Sequence, residues 1–240
     1  MEISVIIPAF QEEERIGYTI EKLASYLDAS KTSAEIVLVL DGCTDQTEAV
    51  AQAAIVNKKC IFNIIKLPTN CGKGFAVKQG MLKAAGQYLF FTDADLSFAP
   101  NIIPQFLERL KAGADIVIAQ RQKSSTYSHI VRRLLATFSR AIIGNFVVPG
   151  IRDTQAGFKA FRQDVARALF TDLKIPGYLF DLELLLIAKR RGYRIEKVYV
   201  DWSDRPGSKV RPFKDALRAA NDLVAILLRN LFAQAKSNKG

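Results

Sequence analysis

Residues 3–29 read ISVIIPAFQEEERIGYTIEKLASYLDA and combine two hydrophobic periods in one stretch. The β-branched run that ends at Pro8 predicts a buried strand, and apolar residues every three or four positions between Glu12 and Ala29 predict a helix. The same alternation of strand and helix continues along the chain. It is typical of an α/β fold with a mostly parallel central sheet and helices on both faces.

The remaining elements are predicted from apolar runs and helical spacing. The strands are expected at residues 35–40, 61–67, 88–92, 115–119 and 193–200, and the helices at 45–54, 74–85, 102–112, 128–148, 180–191 and 213–235. Residues 153–161 follow neither period and stay unassigned. With no repeat or low-complexity linker, we predict a single domain over residues 1–212, followed by an amphipathic helix and tail over 213–240.

Composition excludes several kinds of site. One histidine, His129, argues against a Ser-His-Asp triad or a His-rich metal site, so a metal would need carboxylates. Cys43, Cys60 and Cys71 lack metal-ligand spacing and indicate thiols in a reducing compartment. The net charge of +10 favours polyanionic partners. The start of the chain lacks a signal-peptide pattern and no apolar run reaches about 18 residues, so we expect a cytoplasmic protein.

Asp93 and Asp95 directly follow the predicted strand 88–92. Open α/β sheets bind ligands at the carboxyl ends of their strands. Two neighbouring carboxylates repel each other unless a cation is near, and Mg²⁺ or Mn²⁺ needs only one or two carboxylates while it bridges to substrate phosphates. The alternative is a polar turn that caps the next helix.

Four other polar clusters also have two interpretations. Residues 8–14 and 40–45 follow predicted strands, but they also suit an acidic helix start and a capped turn. Residues 70–74, NCGKG, predict a phosphate contact at Lys73, although they are not a Walker A motif. The basic loop 204–211 is either a diphosphate clamp or a solvated charged loop.

Taken in order, these motifs resemble the family 2 glycosyltransferases of GT-A fold, and within them the polyprenyl (dolichyl) phosphate sugar synthases. The resemblance rests on SVIIPAFQE at 4–12, LDG at 40–42, NCGKG at 70–74, DAD at 93–95, DTQAGFK at 153–159 and FDLELL at 180–185. It implies transfer of a hexose from a nucleoside-diphosphate sugar to a polyprenyl phosphate. The last two segments favour UDP-glucose over GDP-mannose as the donor.

The resemblance also implies a role for each matching residue. The donor base and ribose would be held by Pro8, Phe10, Glu12, Val39 and Asp41. Diphosphate and a Mg²⁺ or Mn²⁺ ion would be held by Asp93, Ala94 and Asp95, with Ser97 in the metal shell. Diphosphate and sugar would be gripped by Arg121, Arg205 and Lys209. Arg133 would bind the acceptor phosphate, Asp181 would orient sugar or acceptor, and Glu183 falls at a second acidic position. The catalytic residues would be Asp95, Arg133 and Asp181.

The chain departs from the family pattern in several places. The family usually has two acids after its second strand, and this chain has Leu40 in place of the first of them, followed by Asp41. Gln11 replaces the usual Asn of the first motif, and Ser97 stands where a stronger metal ligand is common. Most relatives carry transmembrane helices, and none is encoded here.

The acceptor class decides the expected mechanism. A phosphate monoester is largely an oxyanion at pH 7, since its second pKa is about 6. It needs cations and no general base, so we expect inverting transfer to a β-linked product. A soluble saccharide or glycolipid acceptor is the alternative, and it would require Asp181 as base. A nucleic-acid-binding protein is indicated by charge alone, and acids at the strand ends argue against it.

Residues 128–148 and 213–235 each carry apolar residues beside Arg and Lys. Both patterns fit an interfacial amphipathic helix, and both fit a core helix with a basic face. Because a polyprenyl tail lies in the bilayer, we expect peripheral docking on the cytoplasmic face of a membrane, either directly or through a membrane-anchored partner.

Overall fold

The computed structural model describes residues 1–30, 32–121, 151, 153–201 and 212–237. Its strands are β1 (Ile3–Ala9), β2 (Ala34–Asp41), β3 (Ile61–Leu67), β4 (Tyr88–Thr92), β5 (Ile116–Arg121), β6 (Phe158–Arg162) and β7 (Ile195–Val200). Its helices are α1 (Ile16–Ser30), α2 (Thr47–Ile55), α3 (Lys73–Lys83), α4 (Ile103–Lys111), α5 (Gln163–Asp172), α6 (Phe180–Arg190) and α7 (Pro212–Ser237). The helix predicted over 128–148 lies outside the described residues.

The seven strands form one sheet in the order β3-β2-β1-β4-β6-β5-β7. Strands β1 to β4 are parallel, as are β5 and β7, whereas β6 is antiparallel to both β4 and β5. The prediction of a mostly parallel sheet is therefore confirmed. Strand β6 begins within the unassigned segment 153–161 and ends at Arg162. Its pattern was not apparent in the sequence because its second residue, Lys159, is fully buried and interrupts the apolar run.

Hydrophobic residues are buried on both faces of the sheet. Alternate residues of β1 supply both cores: Ile6 packs with α3, α5 and α6, while Val5 and Ile7 pack with α1 and α4. Full burial of such a side chain stabilises by roughly 1.5–3 kcal/mol. The predicted helices on both faces are confirmed. Helix α5 is not among the predicted elements, although its buried residues Val165 and Leu169 lie at helical spacing.

Strand direction brings the polar segments to one edge of the sheet. Strands β1, β2, β4 and β5 all end there, and antiparallel β6 starts there, since Thr92 pairs with Phe158. Residues 153–157 thus lie beside the Asp93–Asp95 turn. Within the described ranges, no helix has both the length and the apolar character needed to cross a membrane.

Candidate functional site

The turn after β4 is held in a defined conformation by hydrogen bonds. The backbone N–H and the hydroxyl of Ser97 donate to Asp95 Oδ1 at 3.0 and 2.7 Å. From α1, the buried Thr19 hydroxyl donates to the carbonyl of Ala94 at 2.6 Å. Leu96 has a left-handed φ of 49°, a conformation that persists only where its surroundings enforce it. The turn therefore presents the Asp95 carboxylate in a fixed direction.

Asp93 lies between a lysine and a glycine. Lys73 Nζ is 2.7 Å from Asp93 Oδ1, and the two side chains are 24% and 28% exposed. On the other side, a Cβ added to Gly157 would lie 2.1 Å from Asp93 Oδ2, and the Gly157 carbonyl accepts the Asp93 N–H at 3.2 Å. A side chain at position 157 would push the Asp93 carboxylate away, so Gly157 allows this close approach.

A second ion pair lies deeper in the protein. Lys159, with 0% of its side chain exposed, places Nζ 2.7 Å from Asp181 Oδ1 and donates to the Ala156 carbonyl at 2.7 Å. The Lys159 and Lys73 ammonium groups lie 5.7 and 5.5 Å from the centroid of the Phe91 ring, within cation–π range. We name Lys73, Asp93, Lys159 and Asp181 the charge cluster; its formal charges sum to zero.

Electrostatics within the charge cluster keep Lys73 protonated. Burial lowers the pKa of Lys73, but Asp93 and Asp181 more than offset this and the net pKa is raised. Burial raises the pKa of Asp181, against the lowering effects of Lys159 and Lys73. Asp181 is 3% exposed, so it lies beneath the site surface. The role predicted for Asp181, orienting the sugar or acceptor, stays a prediction for a buried residue that is paired with Lys159.

Asp41 positions the loop that begins α3. Its two carboxylate oxygens accept the N–H groups of Cys71 and Gly72 at 2.7 and 2.9 Å. Burial raises the pKa of Asp41, and these two hydrogen bonds partly counter that effect. Gly72 adopts φ 103°, and a Cβ there would lie 2.5 Å from the Pro176 carbonyl oxygen. Asp41, predicted to hold the donor, is thus engaged with the loop that carries Lys73.

Gln11 joins the loops that follow β1 and β2. Its amide donates to Thr44 Oγ1 at 2.9 Å and accepts the N–H groups of Thr44 and Asp45 at 2.9 and 3.3 Å. It does so from a left-handed φ of 56°. Beside it, the Phe10 ring is exposed at the same edge of the sheet. Gln11 therefore holds these two loops together, a structural role that sequence reasoning missed.

Other residues that were predicted to hold the nucleotide-sugar donor are less exposed than Phe10. Pro8 and Ala94 are buried, and Val39 has no exposed surface because it packs from β2 against α3. The role predicted for Val39, holding the base or ribose, stays a prediction, and its side chain is buried in the core. Glu12 accepts two hydrogen bonds from Arg15 at 2.7 and 2.8 Å.

Arg121, the last residue of β5, forms a two-point ion pair with Asp153. Nε and Nη2 lie 2.5 and 2.8 Å from the two carboxylate oxygens. Asp153 belongs to the DTQAGFK motif, but no role for it was derived from the sequence. The remaining predicted cations, Arg133, Arg205 and Lys209, lie outside the described residues.

Glu183 anchors two segments away from the Asp93–Asp95 turn. Its Oε2 accepts the N–H groups of Lys174 and Ile175 at 2.9 and 2.7 Å. Its Oε1 accepts from Arg229 of α7 at 2.7 Å. Glu183 therefore fastens the C-terminal helix to the domain.

The oxygen ligands of the turn fit a hard divalent cation. In the described part of the chain, no group of three or more His, Cys, Asp or Glu side chains is arranged to hold a metal. Asp93 and Asp95 offer carboxylate oxygens only. Such a donor set suits Mg²⁺ or Mn²⁺ that completes its coordination with substrate phosphate and water.

Known proteins match this chain over most of its length. The model described as Glycosyl transferase family 2 matches residues 4–170. The dolichyl-phosphate beta-glucosyltransferase of Dictyostelium discoideum is 31% identical over 245 residues, which cover 95% of this chain and 75% of that protein. Its counterpart from Drosophila melanogaster is 32% identical over 253 residues, with coverages of 96% and 76%.

Solved structures share the fold. Glucosyl-3-phosphoglycerate synthase of Mycobacterium tuberculosis, in complex with Mn²⁺, UDP-glucose and phosphoglyceric acid, has a TM-score of 0.72 at 23% identity, covering 95% of this chain and 79% of that one. The same enzyme with Mg²⁺ and UDP has a TM-score of 0.67 at 22% identity, with the same coverages. The fold is therefore GT-A. Because the family model matches more than half of the chain, this protein belongs to glycosyl transferase family 2 and is a glycosyltransferase.

Proposed function

We propose that this enzyme transfers glucose from UDP-glucose to a polyprenyl phosphate of the dolichyl type. The observation that carries the proposal is the turn that presents Asp93 and Asp95 beside Lys73 at the carboxyl edge of the sheet. The names of the relatives, dolichyl-phosphate beta-glucosyltransferases, support the acceptor and the sugar. The UDP-glucose complex of the structural neighbour is consistent with the donor.

Different residues along this edge of the sheet would bind the base, the diphosphate and the metal of the donor. The exposed Phe10 ring would stack on the donor base, and Lys73 and Arg121 would contact the diphosphate. Asp93 and Asp95 would hold Mg²⁺ or Mn²⁺, which offsets the charge that develops on the leaving diphosphate when it is bound. Arg133, Arg205 and Lys209 stay predictions for binding the acceptor phosphate and the diphosphate.

The burial of Asp181 favours a phosphate acceptor. A saccharide hydroxyl needs a general base within hydrogen-bond reach, whereas a phosphate monoester is already ionised at pH 7. Asp181, the residue predicted as base in the alternative, is 3% exposed and paired with Lys159. We therefore propose single-displacement, inverting transfer to a β-linked lipid phosphate without an obligatory base.

Donor and acceptor are tested together on the purified chain. With Mn²⁺ present, we expect UDP-glucose at about 100 times its Kd to stabilise the fold by about 2.7 kcal/mol, a rise in melting temperature of roughly 5–10 °C. GDP-mannose should give a smaller shift, and radiolabelled glucose should appear in the organic phase with polyprenyl phosphate. A larger shift with GDP-mannose would overturn the donor. Transfer to a soluble saccharide but not to the lipid would overturn the acceptor.

Helix α7 carries an exposed row of apolar side chains. Val224, Leu227, Leu228 and Leu231, at spacings of three and four residues, are 38–61% exposed; we name them the apolar stripe. The opposite side packs inward through Ile226 and is held by the Arg229–Glu183 ion pair. Because this pattern suits an interfacial helix and the proposed acceptor is a lipid, we propose that the stripe lies on a membrane surface. Its cytoplasmic side and a membrane-anchored partner stay predictions.

Vesicle flotation tests the apolar stripe. Wild type should float with anionic vesicles at low salt, and Leu227→Ser/Leu228→Ser/Leu231→Ser should bind at least about tenfold more weakly, because apolar burial drives insertion. The control Val56→Ser/Ile61→Ser/Tyr199→Ser removes three exposed apolar side chains elsewhere and should float like wild type. Equal flotation of the stripe variant would exclude this surface, and a wild type that stays unbound would exclude direct docking.

A further inference from the structure

The two lysines of the charge cluster differ in their freedom to move. Lys159 is fully buried and is held by both Asp181 and the Ala156 carbonyl. Lys73 is 24% exposed and sits at the first position of α3, where Asp41 fixes the preceding backbone through Cys71 and Gly72. A lysine carries a compact charge on a flexible four-carbon stem. The Lys73 ammonium can therefore change partner while its backbone stays in place.

The Lys73 ammonium lies where a divalent cation bound to Asp93 would lie, so the two would compete for the same carboxylate. Oδ2 of Asp93 is pressed against Gly157, where an added Cβ would come within 2.1 Å. The other oxygen, Oδ1, lies 2.7 Å from Lys73 Nζ. An ion that binds Oδ1 must displace this ammonium or lie beside it, and like charges at such a distance repel strongly where water is scarce.

We propose that Lys73 is an exchangeable counter-ion of Asp93. When the nucleotide binds, the Lys73 ammonium leaves the Asp93 carboxylate and pairs with the diphosphate, so that the binding of the divalent cation and the binding of the nucleotide are coupled. This inference rests on the proposed function. Without a diphosphate, Lys73 competes with the cation for Asp93. With a diphosphate, Lys73 gains new anionic oxygens and the competition ends. The cation and the nucleotide then each strengthen the binding of the other, which is positive coupling between two ligands.

The test separates the two ligands on the full chain. Mn²⁺ alone is titrated by electron paramagnetic resonance of the free ion, and UDP is titrated by calorimetry in the presence of Mn²⁺. In Lys73→Met we expect Mn²⁺ alone to bind about tenfold more tightly and UDP with Mn²⁺ to bind about tenfold more weakly, because the competing and the phosphate-binding charge are the same group. A residue with a merely structural role would weaken both.

The control is Lys83→Met, which removes the same charge from the exposed end of α3 and should change neither affinity. Circular dichroism checks the fold, and Lys73→Gln, which keeps a donor for Asp93, replaces Lys73→Met if the latter does not fold. If the wild type binds UDP and Mn²⁺ but the variant binds Mn²⁺ no more tightly, the counter-ion proposal is overturned and the proposed function is not. A wild type that binds neither UDP nor Mn²⁺ would overturn the proposed function with it.

Discussion

Asp95→Asn is expected to lower turnover by about a thousandfold while leaving the fold intact. In the turn after β4, Asp95 Oδ1 accepts two hydrogen bonds from Ser97, and an asparagine oxygen can accept both. The substitution therefore removes the negative charge and keeps the turn. Stabilisation of transition-state charge by a bound metal contributes several kcal/mol, and about 4 kcal/mol corresponds to the expected factor.

Turnover is measured with UDP-glucose, polyprenyl phosphate and saturating Mn²⁺, and the fold is checked by thermal unfolding. Asp164→Asn is the matched control, since it removes from α5 a carboxylate that forms an exposed ion pair with Arg162 of β6, and it should retain activity. Near-normal turnover of Asp95→Asn would remove the metal role from this residue.

Lys159→Met is expected to have the largest effect on stability, about 3–5 kcal/mol. The ammonium of Lys159 neutralises Asp181 where neither side chain is more than 4% exposed. Removing one partner of a buried ion pair leaves the other as an uncompensated buried charge, and the stated cost is typical of such changes. The Ala156 carbonyl would also lose its donor, so residues 153–157 would be less well held beside Asp93.

Urea unfolding of single and double variants measures this effect. Lys159→Met/Asp181→Asn should be more stable than Lys159→Met alone, because it removes the unpaired charge. Lys66→Met breaks an exposed pair with Glu48 and should cost no more than about 1 kcal/mol. A loss below about 1 kcal/mol in Lys159→Met would show that the cluster tolerates an unpaired Asp181.

Much of the fold was predictable from hydrophobic period alone. The run 61–67 was predicted with the bounds of β3, and 88–92 with those of β4. Hydrophobic periodicity did not predict β6, because the buried Lys159 interrupts the run of apolar residues. Helix α5 was also not predicted, although its buried apolar residues lie at helical spacing.

The candidate site was predictable in its location but not in its contacts. Parallel strands end at a common edge, so the order of motifs was enough to bring residues 8–12, 41 and 93–97 together. The same reasoning could not foresee that Val39 points into the core or that Asp41 is engaged with the loop before α3. A motif states which residues are near the edge, and burial decides which of them face it.

By itself, the sequence determined an α/β sheet with acids at the carboxyl ends of its strands, because hydrophobic period is a local property and strands that alternate with helices usually run parallel. Only the tertiary structure decided which charges are paired: Lys73 with Asp93, Lys159 with Asp181 and Arg121 with Asp153. Each pair joins residues far apart in the chain, and its strength depends on distance and burial. Those quantities exist only once β4, β5, β6, α3 and α6 have packed together.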